Sequence, residues 1–218
     1  MRRLCIIPRW GGGPDHDFYP WLRESLQAET PPRFSSILSP AMPTPGTPTI
    51  DAWVHRIAQV LSEPSVDPQA PTTQAAQSNQ TDPIDPKDKE DQAERLRNTV
   101  LMGHSVGCQA VLRYLARLPP GSELTAAIYV AGWFTVDRPW DSILPWIHTP
   151  LDFSVARQRA RQHIVLLSDN DLFTADYQAT AALFQERLGA TVIVAPDRRH
   201  FNDRQEPDVL QILRTSLQ

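Results

Sequence analysis

The sequence predicts an α/β fold, a three-layer sandwich with a mostly parallel, doubly wound sheet of about six strands. Two observations carry that prediction. Short apolar runs alternate with amphipathic helical stretches along most of the chain, as in successive strand-helix-strand units. One of these runs, Val100-Leu101-Met102-Gly103-His104-Ser105-Val106-Gly107-Cys108, ends in Gly-His-Ser-Val-Gly and passes directly into a helical pattern. It reads as a strand, a sharp turn carrying a serine, and a helix.

Size and charge bound the rest. A chain of 218 residues is long enough to fill one core and short for two, so a single domain over 1–218 is expected. The net charge of -4 and the lack of a basic, aromatic-interleaved patch argue against a nucleic-acid partner. Two cysteines, Cys5 and Cys108, cannot make a disulfide framework. Both sit in apolar segments and read as buried thiols in a reducing compartment. No apolar run approaches the roughly 18 residues of a membrane span. The N-terminal run breaks at Pro8-Arg9, too short for a signal peptide. A cytoplasmic protein that does not engage a membrane is the expectation, with protein partners left open.

In chain order, Leu4 to Pro8 is a first strand, followed by the glycine loop Arg9-Trp10-Gly11-Gly12-Gly13-Pro14. Phe18, Trp21, Leu22 and Leu26 recur at helical spacing, giving a helix from about Asp17 to Gln27. Phe34 to Leu38 is a weak second strand. A proline-spaced loop, 40–48, leads into a helix from Ile50 to Leu61 with Trp53, Ile57, Val60 and Leu61 on one face. From about 62 to 91 proline and glutamine abound and large apolar residues nearly vanish. That composition buries too little to offset its ordering entropy and reads as a disordered surface insertion. A helical turn over Lys87 to Arg97 returns the chain to the strand at Thr99.

After the serine turn, Val106 to Leu118 is helical and Pro119-Pro120-Gly121 stops it. Leu124 to Gly132, His163 to Ser168 and Ala190 to Ala195 are strands. Tyr177 to Leu188 and Pro207 to Leu217 are helices, and 132–153 is an aromatic-rich loop. In such sheets a ligand sits at the carboxyl ends of the strands, where the strand order reverses. The glycine loop after the first strand and Ser105 after the third are expected to meet there.

The turn at Ser105 is an acyl-transfer geometry, because it exposes the hydroxyl beside the amides of a helix N-terminus. A serine needs a base, and the base needs an acid to orient it. The chain supplies both after Ser105: Ser168-Asp169-Asn170-Asp171 follows one strand and Arg199-His200-Phe201 follows the last. His200 is the expected base and Asp171 the expected acid, with Asp169 as the competitor. The oxyanion donors are expected to be the amides of Val106 and Trp10, with Gly11 next. Gly11, His104, Trp133, Trp140 and Trp146 are expected near the substrate pocket. No His and carboxylate spacing suggests zinc, and the glycine loop lacks the residues of a phosphate cradle, so neither a metal nor another cofactor is expected.

These residues together resemble the small serine hydrolases related to retinoblastoma-binding protein 9 and the bacterial YdeN proteins, a compact branch of the α/β-hydrolases without a large lid domain. The resemblance rests on Ile7-Pro8-Arg9-Trp10-Gly11-Gly12-Gly13, Met42-Pro43 with Pro45 and Pro48 before Trp53, Gly103 to Cys108, Ser168 to Asp171, and His200-Phe201. It implies a triad of Ser105, Asp171 and His200 and cleavage of a carboxylic ester or amide of a small molecule. The chain departs from the family at Leu172, where a proline is usual, at Arg199, where a glycine is usual, and in the insertion after Leu61. The Leu-x-Cys-x-Glu motif that binds retinoblastoma protein is absent. The rival expectation is a protein that keeps the fold without turnover and serves as a binding module.

Overall fold

The computed structural model describes residues 2–63 and 86–217. Its elements, in order, are β1 (Arg2–Ile7), α1 (Tyr19–Gln27), β2 (Phe34–Leu38), α2 (Ile50–Ser62), α3 (Pro86–Arg97), β3 (Thr99–His104) and α4 (Val106–Arg117). There follow β4 (Leu124–Val130), α5 (Leu144–His148), α6 (Phe153–Arg157), β5 (Ala160–Ser168), α7 (Tyr177–Leu188), β6 (Thr191–Ala195) and α8 (Pro207–Thr215). The six strands form one sheet in the order β2-β1-β3-β4-β5-β6, and every neighbouring pair is parallel. The strand order reverses between β1 and β3, which makes the crevice at their carboxyl ends the place where loops from both halves converge.

Alternation along the strands splits the apolar residues between two cores. Leu4, Ile6, Val100, Met102, Ile128 and Leu166 point to the face covered by α1 and α8 through Phe18, Leu22, Val209 and Leu213. Cys5, Ile7, Leu101, Ala127, Tyr129 and Val165 point to the opposite face, where Trp53 and Ile57 of α2, Val111 and Leu115 of α4, and Phe184 of α7 cover them. The central β3 and β4 are buried at every residue, which is why they read as continuous apolar runs rather than alternating ones.

Three expectations are corrected. The expected insertion at 62–91 lies mostly outside the described residues, but its ends are helical: Ser62 closes α2 and Pro86 opens α3. β5 starts at Ala160, three residues before the expected His163. The aromatic-rich stretch between β4 and β5 is no plain loop, since it carries a 3-10 turn at Asp141–Ile143, α5 and α6. The prolines there hid the helices: Pro145 occupies the first turn of α5, where its missing N–H has no cost. Asp152 caps α6 by accepting from the Val155 amide at 3.1 Å.

Helix α4 approaches β1 more closely than side chains allow. A Cβ on Gly107 would lie 2.4 Å from the Ile7 carbonyl oxygen and 2.7 Å from that of Pro8. One on Gly103 would lie 2.6 Å from the Cys108 amide nitrogen. Both obstacles are backbone and cannot rotate away. Gly107→Ala is therefore expected to lower stability by about 1–3 kcal/mol, the range for overpacking. Gly46→Ala, where the added Cβ meets nothing within 4 Å, should stay within about 0.5 kcal/mol. Urea unfolding of both variants against the parent tests this, and equal midpoints would refute the close-approach argument.

Glu206, just ahead of α8, is wholly buried. Its Oε1 accepts from the Asp203 amide at 3.2 Å, while Oε2 has no hydrogen-bond partner among the described residues. Burial pushes its carboxyl up from 4.5 to about 7. The folded chain thus holds a proton that the unfolded chain releases near 4.5, so this contribution is full below that pH and is lost as pH rises through about 7. Glu206→Gln is expected to flatten the decline in unfolding midpoint between about pH 5 and about pH 8. An unchanged slope would remove Glu206 as its source.

Candidate active site

Ser105 sits between β3 and α4 with φ 55° and ψ -120°, a strained conformation that turns the residue out of both elements. Its amide donates to the Val130 carbonyl of the neighbouring strand at 2.9 Å, which fixes the turn to the sheet. Val106 begins the helix, so its N–H has no intrahelical acceptor, and the residue lines the crevice beside Ser105.

The glycine loop arrives from β1. Its Arg9 amide donates to Tyr19 Oη at 3.1 Å, that of Gly11 to the Pro45 carbonyl at 2.7 Å, and that of Gly12 to the Arg9 carbonyl at 2.9 Å. The Trp10 amide, between them, has no acceptor among the described residues. Gly11 has φ +67°, a conformation that costs glycine little. The Arg9 guanidinium is held by Asp17 at 2.8 and 3.0 Å and by the Trp10 carbonyl at 2.8 Å, so it braces the loop.

His200 lies in the loop after β6, and its Nδ1 is 2.7 Å from Asp171 Oδ2. Asp171 Oδ1 accepts from the Phe173 amide at 2.9 Å, so both oxygens of this buried carboxylate are engaged. The structure pairs His200 with Asp171 and employs Asp169 elsewhere, where its Oδ1 accepts from the Asp197 amide at 2.8 Å. Asn170 joins the two loops as well. Its side chain accepts from the Arg199 amide at 2.7 Å and donates to Asp197 at 2.7 Å. Ser168 Oγ accepts from the Arg198 amide at 2.9 Å. Arg199, at φ 50°, adopts a left-handed backbone that a glycine accepts more easily.

Ser105, Val106, Trp10, His200, Trp133 and Trp140 line one cavity of ≈ 100 Å³, together with Arg9, Val136, Ile143, Phe173 and Asn202. Trp10 and Trp140 meet edge to face at 5.3 Å, and Trp10 Nε1 donates to the Gly46 carbonyl at 3.0 Å. Three residues expected near the pocket do not line it. Trp146 is buried against Trp53, and its Nε1 donates to the Pro48 carbonyl at 3.0 Å. Its apolar ring is better served by the core. Gly11 spends its amide on Pro45. His104 is wholly buried beneath the turn, between Tyr19 and the His200 backbone, because strand alternation turns it away from the crevice.

Sequence reasoning missed the pair that holds the pocket wall. Gln109 of α4 donates to the Trp133 carbonyl, and Arg113, one turn on, donates to the Gln109 side chain. Arg113 also donates to the carbonyls of Trp146 at 2.7 Å and Thr149 at 3.2 Å. Burial pushes the Arg113 guanidinium down to about 10, with Arg117 adding to the shift, so it stays charged at neutral pH. The signal was two polar residues, four apart, on the buried face of a helix; their acceptors are carbonyls that no sequence pattern marks.

Cys108 is unsuited to be a nucleophile: it is buried, its thiol donates to the Gly103 carbonyl at 3.2 Å, and burial pushes its pKa far up. Among the described residues, no three of His, Cys, Asp and Glu come together as a metal-holding group. No helix among them is long and apolar enough to cross a membrane.

In three dimensions the chain is similar to the ydeN gene product from B. subtilis, with 19% identity, a TM-score of 0.74, and coverage of 99% of this chain and 98% of that one. It is also similar to Est1E from Butyrivibrio proteoclasticus with ferulic acid bound (12% identity, TM-score 0.61, 98% and 86% covered). A thermophilic esterase from Thermogutta terrifontis matches at 12% identity with a TM-score of 0.60, over 100% and 89%. At such identities the likeness establishes the α/β-hydrolase fold. No curated protein sequence matches the chain. A family model described as serine hydrolase matches residues 68–208, a span that runs from ahead of α3 into α8 and includes Ser105, Asp171 and His200. With more than half its length matched in this way, and with a strained serine sharing a crevice with a histidine held by a carboxylate, the chain belongs to the serine hydrolase family.

Proposed function

We propose that the chain hydrolyses small carboxylic esters with short acyl groups through an acyl-enzyme formed on Ser105. The observation that carries this reading is the shared cavity: Ser105 and the Asp171-bonded His200 open onto one apolar-walled space. In this reading the Ser105 hydroxyl attacks the ester carbonyl while His200 Nε2 takes its proton. Asp171 holds Nδ1–H and so presents Nε2 with its lone pair toward the serine. The oxyanion forms against the Val106 and Trp10 amides, the two crevice donors without internal acceptors. His200 then protonates the leaving alkoxide, and by the same route activates the water that frees the acid. No cofactor enters these steps. An amide follows the same course with a poorer leaving group, and the esterase among the structural neighbours accords with the ester.

The acyl length follows from the space. A cavity of about 150 Å³ takes benzene. The ≈ 100 Å³ here, walled by Val106, Trp133, Val136 and Ile143, suits a chain of about two to four carbons. We take residues 1–218 as one α/β-hydrolase domain, with the 64–85 segment inserted between α2 and α3. The two buried, free cysteines suit the reducing cytoplasm.

A fluorophosphonate probe is expected to label the folded protein stoichiometrically and to leave Ser105→Ala and heat-denatured protein unlabelled. An unlabelled parent at neutral pH would sink the hydrolase reading and favour a binding module. On nitrophenyl esters, kcat/KM for acetate and butyrate should exceed that for octanoate by at least about tenfold. Indifference to length would remove the acyl assignment and leave the hydrolase in place.

Asp171→Asn is expected to lower kcat by about 10⁴-fold with KM little changed, the order seen when an amide replaces a triad acid. Asp169→Asn should fall far less. Equal losses would return the acid role to an open choice.

A further inference from the structure

Beneath the serine turn a chain of hydrogen bonds links three segments that are remote in sequence. Tyr19 Oη lies 2.7 Å from His104 Nδ1, and His104 Nε2 lies 2.8 Å from the His200 carbonyl oxygen. The Arg9 amide donates to Tyr19 Oη at 3.1 Å. Both side chains are wholly buried, so no water is available to satisfy them and the protons must be ordered.

The ordering follows from the end groups. A carbonyl oxygen only accepts, so His104 Nε2 carries the hydrogen. In a neutral imidazole Nδ1 is then an acceptor, so the Tyr19 hydroxyl donates to it and keeps its lone pairs for the Arg9 N–H. Burial, with His200 nearby, holds the His104 pKa well below its ordinary value, in keeping with the neutral ring. A protonated His104 would leave the Tyr19 hydrogen without an acceptor.

The ends of this chain matter more than its middle. One end fixes the Arg9 backbone, and the next amide along is Trp10, the oxyanion donor in the hydrolase reading. The other end fixes the backbone of His200 itself, and His104 is bonded covalently to Ser105. The β1–β3 pairing ends at Ile7–Gly103, and among the described residues no regular element links all three points. We propose that Tyr19 and His104 are positioning residues that set the oxyanion loop, the nucleophile turn and the His200 loop in mutual register through one buried, proton-ordered chain. The proposal rests on the hydrolase reading for its kinetic consequence but not for its structural one.

Three variants test it: Tyr19→Phe, His104→Ala and His104→Gln. Each is measured for kcat and KM on a short-chain nitrophenyl ester, normalised to fluorophosphonate-titrated sites so that loss of folded protein does not count as loss of rate. Tyr19→Phe and His104→Ala are expected to lower kcat per titrated site by about tenfold to a hundredfold, the cost of a slight misplacement, with KM within about twofold. His104→Gln places an amide N–H within reach of the His200 carbonyl and is expected to recover most of the rate lost in His104→Ala. Backbone hydrogen exchange supplies a readout independent of activity: the Arg9 amide should exchange at least about tenfold faster in Tyr19→Phe than in the parent.

An unchanged kcat per site in folded Tyr19→Phe would overturn the proposal, as would a glutamine variant no better than alanine. Should His104→Ala fail to fold, Tyr19→Phe decides alone. Should the parent lack hydrolase activity, unchanged Arg9 exchange in Tyr19→Phe would overturn the chain by itself, whereas faster exchange would uphold it and place the failure in the reading of function.

Discussion

The contact on which the site depends is the packing of the α4 N-terminus against the carbonyl ends of β1. With Gly107 set where a Cβ would fall 2.4 Å from the Ile7 oxygen, the helix brings its free amides beside the loop that leaves β1. In the proposed mechanism the two oxyanion donors, the Val106 and Trp10 amides, come from separate segments that must converge on one point. That convergence would depend on the missing Cβ at 107, since a side chain there would meet the Ile7 and Pro8 carbonyl oxygens. Gly103 serves the same end from below, since a Cβ there would lie 2.6 Å from the Cys108 amide nitrogen. The backbone strain at Ser105 is held in place by this packing and by the bond to Val130.

Polar groups do the remaining alignment, and at Ser168, Gln109 and Arg113 they are buried, where an unmade bond is expensive. Ser168, Asp169 and Asn170 tie the loop after β5 to the loop after β6. This tie is what makes the Asp171–His200 pair a fixed unit instead of a meeting of two surface loops. Gln109 and Arg113 do the same for the aromatic wall, using carbonyls of Trp133 and Trp146 that α4 passes on its buried face. The site is thus braced from two sides by side chains that do not line the cavity.

This bracing bears on why a chain with so low an identity to its structural neighbours keeps their fold. The apolar positions of β3 and β4 tolerate exchange among aliphatic residues of similar size. A glycine beside a carbonyl oxygen and a carboxylate with both oxygens bonded do not. Arg199 adopts a left-handed backbone that a non-glycine residue takes less readily, and Asn170 holds its amide there.

By itself the sequence determined the parallel α/β architecture, the strand-turn-helix around Ser105, and the order serine, acid, histidine. All of these are written locally, in apolar periodicity, glycine placement and the residues that follow a strand. Only the tertiary structure decided the rest. It decided that Asp171 and not Asp169 meets His200, that Trp146 belongs to the core while Trp133 and Trp140 wall the cavity, and that His104 turns inward to Tyr19. It also showed the stretch between β4 and β5 to be helical in part. Each of these depends on which groups from distant segments satisfy one another once buried, and such pairings leave no periodic trace along the chain.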